Sequence, residues 1–102
     1  MYTITFAEST VAHLKAIDKK HYSLIKESIE KLLINEPLAP TKNRKPLERE
    51  SVFGDAWEIR FGPKNIFRVF YQVNEETNEV TILAIGTKKG NTLTIGGEVI
   101  DL

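Results

Sequence analysis

Two arginines and a lysine have the types and spacing in this 102-residue chain that could bind a phosphate. Arg60 lies in the segment AWEIRF, Arg68 lies inside NIFRVFYQV, and Lys88 follows the segment EVTILAIG. A planar guanidinium grips the non-bridging oxygens of a phosphate with two parallel hydrogen bonds. The alternative is a solvated sheet face on which the bases form cross-strand ion pairs, for example Arg68 with Glu58. The positions alone leave both interpretations open.

Three consecutive strands must position these bases. The three segments are joined by the short, turn-forming stretches GPKN and NEETN, so we expect antiparallel neighbours. The period of two places four large apolar side chains on one face: Trp57, Ile59, Val69 and Tyr71. Arg60 and Arg68 then lie on the opposite face, which we expect to be partly open to solvent. Lys88 and Lys89 reach the same surface, and a concave basic patch is the predicted result.

The chain before these strands predicts one strand and two helices. YTITF alternates as a short strand, and Val11, Leu14 and Ile17 recur at helical spacing in AESTVAHLKAI. A longer helix is predicted in DKKHYSLIKESIEKLLINEP, where Asp18 is the expected N-cap and Pro37 ends the run. Its apolar stripe comprises Tyr22, Ile25, Ile29 and Leu32. The expected class is α+β, with two helices on one face of a small, mainly antiparallel sheet.

The long connection and the tail are less regular. PLAPTKNRKPLERESVFGDA, residues 37–56, carries three prolines and no sustained period, which predicts a loop. Its centre, KNRK, contains Lys42, Arg44 and Lys45, and is either a soluble loop or a contact to a phosphate backbone beside the sheet. The tail NTLTIGGEVIDL predicts a further edge strand or an extended arm, too short and glycine-broken to cover the open sheet face.

Composition limits the classes of protein that the chain can represent. Fourteen Lys and Arg balance fourteen Asp and Glu, which argues against nucleic-acid binding by net charge alone. With 41% hydrophobic residues, we expect one domain spanning residues 1–102 and one modest core. The chain has no cysteine, so disulfides and thiolate metal sites are excluded. No basic leader or long apolar run is present, and a soluble cytoplasmic protein is expected.

Other familiar chemistry finds no support in the sequence. His13 and His21 lie on different predicted helices without a carboxylate or cysteine at ligand spacing, so we interpret them as surface or packing residues. Glu98 and Asp101 have no opposing titratable group, and we predict no acid–base pair there. The chain also lacks a phosphate-binding loop, a dinucleotide fingerprint and a nucleophile elbow. We therefore expect no metal and no cofactor.

The order of elements, together with WEIRFG, FRVFYQV and VTILAIGTKKG, resembles the RelE/ParE toxin superfamily of bacterial type II toxin-antitoxin modules. The resemblance covers nearly the whole chain. It implies an αα-hairpin packed on an antiparallel sheet, and a cognate acidic antitoxin that covers the basic patch. The RelE branch cleaves messenger RNA in the ribosomal A site, whereas the ParE branch inhibits DNA gyrase.

The resemblance therefore implies a ribosome-dependent messenger RNA interferase, whose partners are the ribosome and messenger RNA. A gyrase inhibitor is the alternative, as is a catalytically silent protein that acts only with its antitoxin in operon repression.

The resemblance also implies roles for individual residues. Arg68 matches the strand arginine that RelE-type enzymes place at the scissile phosphate, and Lys88 takes the place of another arginine two residues past Gly86. Arg60 matches a basic position at the end of the preceding strand. The implied catalytic set is thus Arg68, Lys88 and Arg60, and the implied RNA-binding set is Lys42, Arg44, Lys45 and Lys89.

Three positions differ from the RelE pattern. Ala56 and Glu58 stand where RelE-type toxins have a pair of lysines. Thr94 lies nearest to the place of a C-terminal tyrosine, because the chain has no tyrosine after Tyr71.

Overall fold

The predicted order of strand, two helices and three strands is present in the computed structural model, which describes residues 1–47 and 53–101. The α-helices are α1 (Ser9–Lys15) and α2 (Tyr22–Leu33), and 3₁₀ turns at Lys19–His21 and Pro63–Asn65 precede α2 and the fourth strand. The strands are β1 (Thr3–Phe6), β2 (Arg44–Pro46), β3 (Trp57–Phe61), β4 (Phe67–Asn74), β5 (Glu79–Lys89), β6 (Thr92–Ile95) and β7 (Glu98–Ile100). The α+β class is therefore confirmed.

The two helices form a hairpin that a few hydrogen bonds fix locally. Asp18 caps the 3₁₀ turn rather than α2 itself, since its carboxylate accepts from the Lys20 N–H at 3.0 Å. The Tyr22 hydroxyl donates to the Leu14 carbonyl at 2.6 Å and ties α2 to the end of α1. No helix within the two described ranges is long and apolar enough to cross a membrane.

The described part of the chain forms one sheet in the order β2-β3-β4-β5-β6-β7, in which all neighbours are antiparallel. Strand β1 pairs in parallel with the first half of β5, whereas β6 pairs with its second half, from Gly86 onward. Between these halves, Phe70 pairs with Ala84 and Tyr71 with Ile82, so Leu83 is an extra residue in β5. This β-bulge marks the point where β5 changes partners.

The helices cover one face of the sheet. Ile25, Ile29 and Leu33 of α2 pack in one cluster with Ile59, Val69 and Tyr71, and all six are buried. Trp57 is partly buried against the same cluster, where its ring stacks on Tyr71 with the centroids 6.4 Å apart. Full burial of such side chains contributes about 1.5–3 kcal/mol each. The register predicted from the period of two is confirmed.

Most of the other face is covered, which corrects the prediction of a partly wet surface. A second apolar cluster lies there, formed by Phe70, Ala84, Leu93 and Ile95. Leu93 and Ile95 belong to β6, so the tail supplies this cover instead of remaining an arm. The close fit of β6 requires glycine at position 86, where an added Cβ would lie 2.6 Å from the Thr94 carbonyl oxygen.

Candidate functional site

Arg60 and Arg68 face each other on β3 and β4, on the side of the sheet away from α2. Glu58 lies between their charges: Oε1 accepts from Arg60 Nε at 2.9 Å, and Oε2 lies 3.7 Å from Arg68 Nη1. Arg68 is only 8% exposed and Glu58 only 5%, whereas the Arg60 side chain is 30% exposed. The cross-strand ion pair that the sequence left open is therefore present.

Burial is the main influence on the ionisation of Arg68, and it lowers the pKa of the guanidinium. The Glu58 carboxylate opposes this change, because a nearby negative charge favours the protonated form and raises the pKa. The neighbouring Arg60 acts in the same direction as burial. An arginine keeps its proton in proteins under such influences, so Arg68 remains a cation with a fixed partner.

Arg68 also holds the turn that precedes its own strand. Its Nε donates to the Asn65 carbonyl at 3.1 Å. Lys64 and Asn65 have φ angles of +54° and +52°, in the left-handed region that non-glycine residues seldom adopt. Asn65 has a second support, since its side-chain amide donates to Asn43 Oδ1 at 3.2 Å. Such backbone strain persists only where the surroundings impose it, and here Arg68 and Asn43 do so.

Lys88 lies at the end of β5, where its backbone N–H donates to the Ile66 carbonyl at 2.7 Å. Its side chain lines a cleft of about 460 Å³ at this end of the sheet, together with His21, Pro63, Lys64, Ile66, Lys89 and Gly90. The His21 ring packs edge-on against Phe67, with the centroids 5.1 Å apart. A basic cleft is therefore present, but at the end of the sheet and not on the face that we expected to be open.

The segment KNRK divides into an exposed part and a buried part. Lys42 and Lys45 are exposed, whereas Arg44 is only 8% exposed. Arg44 donates from Nη2 to the Leu32 carbonyl at 2.6 Å and from Nη1 to the Ala39 carbonyl at 3.1 Å. The last turn of α2 leaves carbonyls without helical partners, and the guanidinium satisfies one of them. The expected exposure of Arg44 is wrong, and residues 44–46 form strand β2 instead of a loop.

The positions that differ from the RelE pattern are also placed by the fold. Ala56 is buried at 2% exposure, and Thr94 pairs with Thr87 and Val99 within the sheet. Tyr71 cannot substitute for a C-terminal tyrosine, because its hydroxyl donates to the Pro37 carbonyl at 2.6 Å. Burial raises the pKa of Tyr71 well above its ordinary value.

Two residues of the cleft were missed by sequence reasoning. His21 comes from the 3₁₀ turn before α2 and Lys64 from the turn before β4, so the sequence separates them by more than forty residues. The turn GPKN could have indicated Lys64, because a short turn between two strands places its side chains at the end of the sheet.

Comparison with known proteins places this fold in a family. A family model described as phage derived protein Gp49-like matches residues 12–95. The chain belongs to the Gp49-like family. No curated protein sequence matches this Gp49-like chain.

Solved structures similar to this Gp49-like protein include several RelE proteins. The RelBE2 toxin-antitoxin complex from Mycobacterium tuberculosis is 25% identical, with a TM-score of 0.70, covering 85% of this chain and 98% of that one. The RelE-RelB complex from Pyrococcus horikoshii is 26% identical, with a TM-score of 0.61, covering 82% and 91%. The isolated RelE toxin of E. coli, at 16% identity and a TM-score of 0.63, covers 89% and 88% and shares the fold. The resemblance to the RelE/ParE superfamily is confirmed on its RelE side.

Proposed function

We propose that this Gp49-like protein is the toxin of a toxin-antitoxin module, and that it cleaves messenger RNA on the ribosome. One observation carries the proposal: in a RelE-like fold, Lys88 lines a basic cleft beside the turn that Arg68 secures. The similar structures support the toxin assignment, because they include a toxin-antitoxin complex and an isolated RelE toxin.

The reaction is the attack of a ribose 2′-hydroxyl on the neighbouring phosphate. A bond forms between the 2′-oxygen and phosphorus, the bond to the 5′-oxygen breaks, and that oxygen takes up a proton. The reaction needs a proton acceptor, stabilisation of the added negative charge and a proton donor. A message held in line by the ribosome lessens the demand on the toxin for a strong base.

The proposed catalytic residues have different roles in this reaction. Lys88 lines the cleft and stabilises the phosphate charge directly. Arg68 is nearly buried, so it acts mainly by holding the turn and by adding positive charge behind it. Arg60 is more exposed and extends this positive charge, although Glu58 offsets part of it. Lys42, Lys45 and Lys89 are exposed, and we propose that they contact the RNA backbone.

The cognate antitoxin is the expected partner, as in the toxin-antitoxin complex among the similar structures. We expect an acidic segment that covers the cleft and its lysines, and that adds a strand or a helix to the toxin surface. Exposed charge contacts are screened over about 10 Å at 0.1 M salt, so the affinity of the pair should fall as salt rises. A salt-independent affinity would contradict recognition through the basic cleft.

The decisive experiment is induction of the protein in cells, followed by primer extension on abundant messages and by cleavage assays on programmed ribosomes. We expect growth arrest, cuts within translated regions, and no cleavage of the same RNA without ribosomes. Growth arrest without any cut in message would contradict the nuclease.

Inhibition of DNA gyrase is the second candidate function, and Glu58 favours it. The carboxylate binds Arg60 and lies near Arg68, which weakens the positive charge available to a phosphate. A supercoiling assay with purified gyrase distinguishes the two functions, because a RelE-type nuclease leaves supercoiling unchanged.

A further inference from the structure

The cleft at the end of the sheet combines carbon surface with positive charge. Its lining is largely apolar and includes Pro63, Ile66 and His21. Three lysines, Lys64, Lys88 and Lys89, belong to the lining. Among the residues that the structure describes, no carboxylate lines the cleft and none of these lysines forms an ion pair. The cleft therefore attracts an anion, because no carboxylate in its described lining competes for the lysines.

The fold holds the cleft in shape from three sides. The Lys88 backbone is tied to Ile66 at 2.7 Å, and the His21 ring is packed against Phe67. Arg68 and Asn43 secure the left-handed turn that carries Lys64. The position of Lys64 thus depends on hydrogen bonds made outside the cleft. A site built in this way loses little conformational entropy when a ligand binds.

The size and chemistry of the cleft suit a nucleotide better than a bare anion. Ligand sites in proteins typically enclose about 300–1,000 Å³, mostly apolar, with a few polar groups that fix orientation. A bare phosphate would use the ammonium groups and leave the apolar wall empty. A base with its phosphate uses both, because bases stack on aromatic and apolar side chains whatever their sequence.

We propose that this cleft binds one nucleotide of an RNA strand, with its phosphate at Lys64, Lys88 and Lys89 and its base against His21 and Ile66. The assignment adds His21 and Lys64 to the site and names the side chains that the base contacts. It deepens the proposed nuclease function and rests on it, since RNA is the substrate of that reaction.

The test is a titration of the full-length protein with each of the four nucleoside 5′-monophosphates and with inorganic phosphate, followed by amide chemical shifts in NMR. We expect the largest shifts at residues 21, 62–66 and 88–90, and tighter binding of at least one nucleotide than of phosphate. His21→Ala and Lys64→Asn should each weaken that binding about tenfold, the usual effect of losing one charged contact or stacked base. Asparagine is chosen at position 64 because it tolerates the left-handed backbone.

Lys31→Ala provides the matched control, since Lys31 is an exposed lysine in the last turn of α2 outside the cleft, and it should bind as the wild type does. Equal binding of phosphate and nucleotides, unaffected by His21→Ala, would reduce the site to an anion site and overturn the base contact. Shifts confined to other surfaces, or no binding at all, would overturn the whole assignment. Thermal melts of each variant show whether a loss of binding reflects unfolding.

The same variants separate this inference from the proposed function. Nucleotide binding that is sensitive to His21 and Lys64, without cleavage on programmed ribosomes by the wild type, would retain the cleft and reject the nuclease. Wild-type cleavage that His21→Ala and Lys64→Asn leave unchanged would retain the nuclease and reject the cleft as its nucleotide site.

Discussion

The Arg68 guanidinium donates to the Asn65 carbonyl at 3.1 Å, so an arginine inside an apolar strand holds the turn that opens the strand. The same side chain has the Glu58 carboxylate 3.7 Å away on the neighbouring strand. Arg68 thus connects the interior of the sheet to the turn that carries Lys64. Its role in the fold and its proposed role in catalysis depend on the same two contacts.

Arg68→Ala should therefore lower both stability and activity. The change removes the charged hydrogen bond to the Asn65 carbonyl, and loss of such a bond costs about 1.5–3 kcal/mol. It also leaves the nearly buried Glu58 with Arg60 as its remaining ionic partner among the described residues. We also expect cleavage on programmed ribosomes to fall about a hundredfold or more, as for loss of one preorganised charge contact. Urea denaturation and single-turnover cleavage measure the two effects separately.

The double variant Glu58→Ala with Arg68→Ala is the control for the stability effect. It removes the carboxylate as well, so its destabilisation should be smaller than the sum of the two single changes. Arg68→Lys should recover part of the stability, since a lysine retains the charge but lacks the guanidinium donors. A wild-type melting temperature and full toxicity for Arg68→Ala would make the arginine dispensable for both roles.

Lys88→Ala tests the proposed contact with the phosphate. Because Lys88 lines the cleft, we expect kcat on programmed ribosomes to fall about a hundredfold with a small change in melting temperature. The combined change Lys42→Ala with Lys45→Ala should instead raise KM more than it lowers kcat, as expected for positioning contacts to an RNA backbone. The assignment fails if both variants change KM alone.

Arg44→Ala should destabilise the protein without a direct effect on RNA binding. The variant leaves the Leu32 and Ala39 carbonyls without the guanidinium, and we expect a loss of about 1.5–3 kcal/mol in the free energy of unfolding. Lys45→Ala is the matched control from the same segment, and as an exposed substitution it should stay within about 0.5 kcal/mol of wild type. Equal stability of the two variants in urea would contradict the structural role of Arg44.

The sequence predicted the sheet and its register well, because the period of two is strong in β3 and β4. Ile59, Val69 and Tyr71 are buried beneath α2 as expected, and Arg68 lies on the other face. The prediction that this other face would be partly open to solvent was wrong. The tail has only weak alternation, so nothing in it showed that Leu93 and Ile95 would return to cover Phe70.

The site was predicted only in part for a similar reason. Lys88 could be found because it follows a long, clearly patterned strand. The burial of Arg44 could not, because the carbonyl that it satisfies belongs to Leu32, twelve residues earlier in a helix. His21 and Lys64 line the same cleft at the sheet end, and that proximity depends on how His21 packs on Phe67 of β4.

His13 predicts a pH dependence of stability. Its Nδ1 accepts from the Ile85 backbone N–H at 3.3 Å, and burial lowers the pKa of the ring. The folded state therefore favours neutral His13, whereas the unfolded chain takes up a proton near the ordinary pKa of about 6.5. Since the unfolded state binds more protons in this range, stability from His13 is fully present above about pH 6.5 and is lost as the pH falls below it.

His13→Gln should remove this acid sensitivity, because glutamine retains an acceptor for the Ile85 N–H but carries no titrating group. We expect the melting temperature of the wild type to fall more steeply than that of the variant between about pH 7 and pH 5. Ala12→Gln is the control, since Ala12 is exposed in the same helix and the change introduces no titrating group, and it should retain the wild-type slope. Parallel slopes for wild type and His13→Gln would show that the partly buried ring does not couple folding to protonation.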